Sequence, residues 1–281
     1  MKEYKNKTYP YERALYGEKD IILSNCKFQG KEDGESALKE TSNVEVRNCF
    51  FDLRYPFWHS NTVKMIDSEM TELCRASFWY SSDILIENSK LHGIKALREC
   101  KNIAIKNSDI ISPEFGWKSN NLLIDNTTIT SEYGFFNASN LKLNNVKFHG
   151  KYSFQYIDNL EINDSILDTK DAFWHSNNVV VRNSIIKGEY LAWYSSNLTL
   201  INCKIIGTQP FCYCTNLKMI NCTMENTDLC FEYSSVDVKI IGNIISIKNP
   251  LSGKIEADSI NEILLTDDSK HKCECIIKVS N

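Results

Sequence analysis

Apolar residues alternate with polar ones in short runs, and these runs recur about every 19 residues from Ile21 to Val238. The most regular element is apolar-x-apolar-x-Asn-(Cys/Ser/Thr)-x-apolar. Successive runs are spaced by 23, 19, 21, seven times 19, and 21 residues. Their first apolar residues are Ile21, Val44, Val63, Ile84, Ile103, Leu122, Leu141, Leu160, Val179, Leu198, Leu217 and Val238. A fixed short period predicts a solenoid in which each repeat stacks on its neighbours.

Each repeat is predicted to be one coil of a parallel β-helix. In one repeat, Leu198 and Leu200 alternate with a polar residue, Asn202 and Gly207 mark corners, and residues 210–214 form a third strand. Nineteen residues leave no room for a βαβ unit, which needs about 30. Unequal strands with Asn at one corner, without a strict six-residue period, favour the right-handed form. We predict an all-β, right-handed parallel β-helix of about 12 coils.

A column of Asn or Asp marks one corner of the predicted coils. Asn tolerates left-handed backbone, and amides stacked one coil apart can bond to each other. The column comprises Asn25, Asn48, Asp67, Asn88, Asn107, Asn126, Asn145, Asp164, Asn183, Asn202 and Asn221.

We predict one domain with three parts: an N-terminal cap (residues 1–20), the β-helix (21–250) and a C-terminal cap (251–281). Residues 11–16 are expected to form a capping helix, and residues 251–281 lose the 19-residue period. Caps would protect the open ends of the solenoid from aggregation.

The predicted third strand carries an unusual aromatic pattern. One column is rich in Phe and is expected to face the core; the next contains all five tryptophans and would then face outward. An outward aromatic stripe with interleaved charges suggests a sugar-binding face. The alternative is that Trp and Phe share a thick core at a bent strand.

Polar residues accompany these aromatics and suggest chemistry. Hydrolysis of a glycosidic bond uses two carboxyl groups, about 5–5.5 Å apart for retention or about 6.5–9.5 Å for inversion. The alternative is a set of solvated ion pairs between coils. The predicted catalytic residues are Arg98, Glu99, Glu114 and Lys118. The predicted substrate-binding residues are Trp58, His59, Trp79, Tyr80, Lys95, Trp117, Lys170, Asp171, Trp174, His175 and Trp193.

Composition narrows the partners. The net charge of −4 and the lack of a long basic run argue against nucleic acid. Without an apolar leader or a stretch of about 18 apolar residues, we expect a cytoplasmic protein and no membrane partner. No metal or cofactor is predicted: Cys212-x-Cys214 and His271-x-Cys273-x-Cys275 are both explained by the periodicity of strands.

Seven runs carry a resemblance that covers nearly the whole chain: residues 13–16, 33–40, 54–59, 95–100, 114–117, 151–156 and 169–175. On these runs the chain resembles a bacterial family known only as domain of unknown function 3737, within the pectin-lyase-like right-handed β-helix superfamily. The resemblance implies the fold, and the wider superfamily includes polysaccharide lyases and glycoside hydrolases.

The functional prediction is a carbohydrate-binding or carbohydrate-active protein that holds an oligosaccharide along the aromatic face. If it is an enzyme, a glycoside hydrolase or polysaccharide lyase is expected. The alternative is a non-catalytic structural or interaction protein whose aromatic face docks another protein or forms a homodimer.

Overall fold

The structure, a computed structural model, describes residues 1–30 and 36–280 and contains only strands and turns. Its parallel strands form about fourteen solenoid turns, so the predicted all-β parallel β-helix is confirmed with about two more coils than expected. The right hand of the helix stays a prediction. No helix in these residues is long and apolar enough to cross a membrane. Residues 33–35, part of one run used for the family resemblance, lie outside the described residues.

The chain divides into two compact units, Met1–Lys142 and Leu143–Asn281. The strands that begin in the first unit are β1 (Lys2–Lys5), β2 (Thr8–Tyr9), β3 (Lys19–Ser24), β4 (Lys27–Phe28), β5 (Ser42–Arg47), β6 (Phe50–Phe51), β7 (Asn61–Ile66), β8 (Glu69–Met70), β9 (Ser82–Glu87), β10 (Lys90–His92), β11 (Lys101–Lys106), β12 (Asp109–Ile111), β13 (Asn120–Asp125), β14 (Thr128–Glu132) and β15 (Ser139–Asn144). The strands of the second unit are β16 (Lys147–Lys151), β17 (Asp158–Asn163), β18 (Ile166–Lys170), β19 (Asn177–Arg182), β20 (Ile185–Lys187), β21 (Ser196–Ile201), β22 (Lys204–Ile206), β23 (Leu217–Glu225), β24 (Ser235–Lys248), β25 (Ser252–Leu264) and β26 (Glu274–Val279).

Two sides of each coil are parallel strands in a 19-residue register. On the first side, Ile103 of β11 lies opposite Leu122 of β13, and on the second, Ile110 of β12 lies opposite Ile129 of β14. These apolar side chains are buried, whereas their neighbours along the strand are polar and more exposed. Alternation places every second residue in the core, and the fixed register stacks like on like from coil to coil.

The third side of the coil is a run of turns, which corrects the predicted third strand. Tyr55, Phe57 and His59 have φ values of 58°, 60° and 53°, in the left-handed region. Neighbouring coils are still joined, because Phe57 N donates to Ala37 O and His59 N donates to Trp79 O, both at 3.0 Å. Alternating left-handed residues point every second side chain inward, so the burial pattern imitates that of a strand.

The capping helix predicted at residues 11–16 is wrong. These residues form turns, with positive φ at Arg13 and Leu15, and Leu38 N donates to Ala14 O at 2.9 Å. They are the third side of a coil whose first side is β1, which pairs in parallel with β3. At the other end, β25 and β26 also pair in parallel. The assignment of residues 1–20 and 251–281 as caps stays a prediction.

The last predicted repeat is shifted by two residues. Val236, not Val238, lies opposite Leu217, so the 19-residue spacing continues here. An extra residue between Met219 and Cys222 forms a bulge that changes the register further along β23. The bulge brings a second apolar residue into a similar place, which explains the misassignment.

The Asn corner is confirmed as a left-handed position with an amide ladder. Asn183 and Asn202 have φ values of 51° and 53°, and Asn202 Nδ2 donates to Asn183 Oδ1 at 3.2 Å. A second ladder, which was not predicted, starts the first strand of each coil, where Asn121 Nδ2 donates to Asn102 Oδ1 at 2.9 Å. Stacked amides therefore connect the coils at two corners.

Candidate functional site

All five tryptophans lie on the third side of the coils and are half-buried. They are neither a fully exposed stripe nor part of the core, which consists of fully buried residues such as Phe57, Phe78 and Phe154. The two predicted alternatives for this column are therefore each half right. The indoles cover the core from outside, and part of each ring remains in contact with solvent.

Four of the five indoles form a ladder of hydrogen bonds to the next coil. Trp58, Trp117, Trp174 and Trp193 donate their Nε1–H to the backbone carbonyls of Ala76, Tyr133, Tyr190 and Gln209, at 2.5, 2.5, 2.6 and 2.9 Å respectively. Gln155 Nε2 does the same to Asp171 O at 2.9 Å. The acceptors are left-handed residues, and no backbone N–H of the described residues reaches the carbonyls of Ala76 and Tyr190. The column thus satisfies backbone groups that the turns leave open.

The ladder is broken at Trp79 and Arg98. Trp79 Nε1 is buried and has no hydrogen-bond partner. On the following coil the ladder position holds Arg98, whose Nε is also buried without a hydrogen bond. Two adjacent unsatisfied donors are unusual, because a buried polar group without a partner costs about 1–3 kcal/mol.

Arg98 lies between two indoles. Its guanidinium carbon is 4.8 Å from the ring centroid of Trp79 and 5.1 Å from that of Trp117. Glu99 Oε1 is 3.7 Å from Arg98 Nε, and Glu114 Oε2 is 3.8 Å from Arg98 Nη1. Two cation–π contacts and two carboxylates fix the orientation of this side chain.

Lys95 completes the group, with its Nζ 3.4 Å from Glu114 Oε2. We call these six residues the Arg98 cluster: Trp79, Lys95, Arg98, Glu99, Glu114 and Trp117. Glu114 is shared by two cations and Glu99 by one. The predicted catalytic carboxylates are therefore both ion-paired to the same arginine.

A groove of about 480 Å³ opens beside the Arg98 cluster. Tyr80, Glu99, Lys101 and Lys118 line it, together with Ser81 and Ser82. Tyr80 and Lys118 were predicted as site residues, and the structure brings both to Glu99. Lys101 was missed because it begins a first strand and lies outside the columns that carry the aromatic pattern.

The outermost column stacks its rings on each other. In the first unit His59 lies on Tyr80 with centroids 4.9 Å apart. In the second unit His175 lies between Tyr156 and Tyr194, at 4.8 and 5.1 Å, with interplanar angles of 11° and 8°. Such spacing leaves no room for a sugar between the rings. The accessible parts are the ring edges and their polar atoms, rather than the flat surfaces expected from the sequence.

The second unit carries a separate group of predicted residues. Trp174 and Trp193 stack with centroids 5.5 Å apart, next to the ring ladder of His175. Lys170 is exposed, but Asp171 is only 8% exposed. Burial raises the pKa of the Asp171 carboxyl; Lys170 opposes this and nearby Glu189 adds to it. The group has no groove comparable to that beside the Arg98 cluster among the cavities of the described residues.

In the ranges that the structure describes, no three His, Cys, Asp or Glu side chains come together in an arrangement that could hold a metal ion. Cys212 and Cys214 are buried, and Cys273 and Cys275 are half-buried. The two cysteine motifs are therefore not assembled as metal centres in this part of the chain.

The sequence from residue 2 to residue 278 matches the model of a family described as "Protein of unknown function (DUF3737)", and the chain belongs to that family. No curated protein matches the chain.

Solved structures resemble the chain in fold. PfbA, a surface adhesin of Streptococcus pneumoniae, is 11% identical with a TM-score of 0.45, over 95% of this chain and 85% of its own. The tailspike protein of E. coli bacteriophage HK620, in complex with a pentasaccharide, is 10% identical with a TM-score of 0.40, over 99% of this chain and 70% of its own. The GH136 lacto-N-biosidase of Eubacterium ramulus is 8% identical with a TM-score of 0.38, over 94% of this chain and 62% of its own. These likenesses concern the β-helix fold alone.

Proposed function

We propose that this protein binds an acidic oligosaccharide at the Arg98 cluster and the adjoining groove. The supporting observation is the break in the indole ladder. At this coil the chain replaces a bonded indole by an arginine and leaves two donors unsatisfied. A sequence gives up local stability of this kind mainly at functional sites.

The charges around the groove favour an anionic ligand. Lys101 and Lys118 line it, and Glu99 is the carboxylate that faces them. Arg98 lies behind Glu99 and is already oriented by its two indoles. A pre-oriented guanidinium with neighbouring lysines suits the carboxylate of a uronic acid, because little side-chain freedom is lost on binding. Tyr80 supplies a hydroxyl and a ring edge for the sugar.

The test is binding of short uronic-acid oligomers, measured by isothermal titration calorimetry. Arg98→Gln should weaken binding about tenfold or more, since it removes a charged hydrogen-bond donor. The same variant should not lower the melting temperature, because Gln155 in the same column bonds the next coil through its amide. Arg47→Gln, which removes an exposed arginine of the first unit, is the matched control. Equal binding by wild type and Arg98→Gln would refute the proposal.

Catalysis at this site is a further part of the proposal. Glu99 and Glu114 would be the acid and base, with Arg98 and Lys118 holding substrate charge. Glu99→Gln and Glu114→Gln should then abolish the release of reducing ends or unsaturated products while binding persists. If wild type releases neither, the protein binds glycans without cleaving them.

A second candidate function is docking through the exposed ring ladder of the second unit. Tyr156 and Tyr194 are 49% and 48% exposed although their ring faces are covered. A homodimer through this surface should be seen by sedimentation velocity and be lost when Trp174 and Trp193 are replaced by Ala. A monomer at all concentrations would remove this candidate.

A further inference from the structure

One coil of the first unit is longer than its neighbours. The buried residue of its second strand, Met70, is followed by Leu91 after 21 residues, whereas Phe51 precedes it by 19. The two additional residues lie between Met70 and Ala76, where the regular coils have a shorter connection. The spacing of 21 between Val63 and Ile84 is the trace of this insertion in the sequence.

The insertion folds into a compact turn that stands on the neighbouring coil. Cys74 N donates to Thr71 O at 3.0 Å, and Arg75 N donates to Leu73 O at 2.8 Å. The turn packs against Gly93, where a Cβ would lie only 2.5 Å from Cys74 O. Glycine is therefore required beneath the turn, and the close packing fixes the position of the turn relative to the next coil.

An open depression of about 540 Å³ lies beside this turn, on a different side of the coil from the groove of the Arg98 cluster. Its volume is in the range of small-molecule sites, about 300–1,000 Å³. Ile94, Ile111 and Pro113 supply apolar lining. Ile111 is 46% exposed, an unusual degree for an isoleucine that no partner covers.

The rim of the depression combines donors and acceptors. His92 Nε2 is 2.7 Å from Asp109 Oδ2, which fixes the orientation of the imidazole. Glu69 lies 3.7 Å from Lys90 Nζ. Glu72 and Arg75 line the same depression and have no ion-pair partner among the described residues, so both can turn toward a ligand. The acidic residues make this site unsuitable for an anion.

We infer that the depression formed by the Thr71–Arg75 turn, the turn depression, is a binding site for a neutral pyranose, either a monosaccharide or the end of a glycan. An apolar lining contacts the C–H face of a sugar ring, while a rim of carboxylates, guanidinium and imidazole matches hydroxyls that both donate and accept. The site depends on residues outside the Arg98 cluster, and it stands if the proposed binding of acidic oligosaccharides fails.

The experiment is saturation-transfer difference NMR of the full chain. The probes are the methyl pyranosides of glucose, galactose and mannose, N-acetylglucosamine, and glucuronic acid as a charged comparison. At least one neutral probe should receive saturation, and titration should show about a tenfold or larger loss of affinity in His92→Ala and Glu72→Ala. Deletion of Glu72 and Leu73, which restores the 19-residue spacing, should abolish the effect.

Two controls separate this site from others. His149→Ala removes an exposed histidine that also faces an aspartate, Asp168, and should leave binding unchanged. Arg98→Gln should affect glucuronic acid and not the neutral probes. Should the deletion variant fail to fold, judged by circular dichroism, the two alanine variants decide the question, because Glu72 is exposed and His92 is at the surface. Absence of saturation in every neutral probe, or undiminished binding in the alanine variants, would overturn the inference.

Discussion

At the scale of single residues, the informative positions are those that break the rule of their column. The ladder position normally holds an indole or an amide that bonds to the next coil, as Trp174 and Gln155 do. Trp79 has the indole without the bond, and Arg98 has neither the indole nor a hydrogen bond at Nε. The same residue type therefore has different energetic consequences on different coils.

Replacing Trp79 by Phe should cost less stability than replacing Trp174 by Phe. Both substitutions keep an aromatic ring, but only the second removes a hydrogen bond, at 2.6 Å to Tyr190 O, and leaves that carbonyl without a donor. We expect a difference of about 1–2 kcal/mol. Chemical unfolding of the two variants measures it. Equal losses would mean that the indole N–H bonds contribute nothing and that the rings act only by packing.

Asp171→Asn should stabilise the protein at neutral pH. Burial raises the pKa of the Asp171 carboxyl above its ordinary value of 3.8. Such a group stabilises the fold while it is protonated, and this contribution is lost as the pH rises through the folded-state pKa. Asn keeps the left-handed backbone, where φ is 50°, and carries no charge. The variant should melt above wild type at pH 7 and together with it near pH 3; a difference independent of pH would contradict the assignment.

At the scale of the elements, the coils are joined at their corners by polar ladders in left-handed backbone. Asn121 has a φ of 61° and bonds Asn102 on the preceding coil. Asn serves both demands, because its amide donates and accepts and it tolerates this conformation better than most residues.

Asn121→Ala should therefore lower the melting temperature more than Asn121→Gly. Both lose the amide bond, but only Ala pays for a side chain at positive φ, a difference of about 1 kcal/mol. Lys106, on an extended strand of the same unit, is the matched control, and there Gly should be worse than Ala. The same order at both positions would show that the left-handed corner does not limit the sequence.

The strands and the core could be predicted from the sequence because their period is enforced by burial on a fixed register. Residues such as Ile103 and Leu122 have no other environment available. The third side was predicted as a strand because left-handed turns and strands both bury every second residue; backbone angles leave no separate trace in that pattern. The first coil was missed because β1 is mostly charged and shows no apolar repeat.

The candidate site could be predicted only in part. The gathering of Lys95, Arg98, Glu99 and Glu114 follows from the 19-residue register alone, so the sequence was sufficient to bring them together. The facing of the indoles was not decidable, since a half-buried ring satisfies both alternatives. The turn depression was overlooked because its cause, two extra residues, looked like an irregularity in the spacing.

At the scale of the whole molecule, the solenoid hides its thiols. Nine of the eleven cysteines are buried and two, Cys273 and Cys275, are half-buried. Burial also raises thiol pKa values, to about 12 at Cys74 and Cys100 and to about 11 at Cys275. Cys203 is an exception, because a hydrogen bond from Cys222 lowers its pKa, but its 2% exposure denies access to a reagent.

Reaction with Ellman's reagent at pH 8 should accordingly proceed in two stages. Only Cys273 and Cys275 should react with the folded protein, slowly because thiolate is the reactive form. All eleven thiols should react once guanidinium unfolds the chain. Cys273→Ser with Cys275→Ser should remove the first stage and leave nine thiols for the second. More than two reactive thiols in the folded state would show that the coils open in solution. Fewer than eleven after unfolding without reductant would show a disulfide, for which Cys203 and Cys222, adjacent in register, are the first pair to examine.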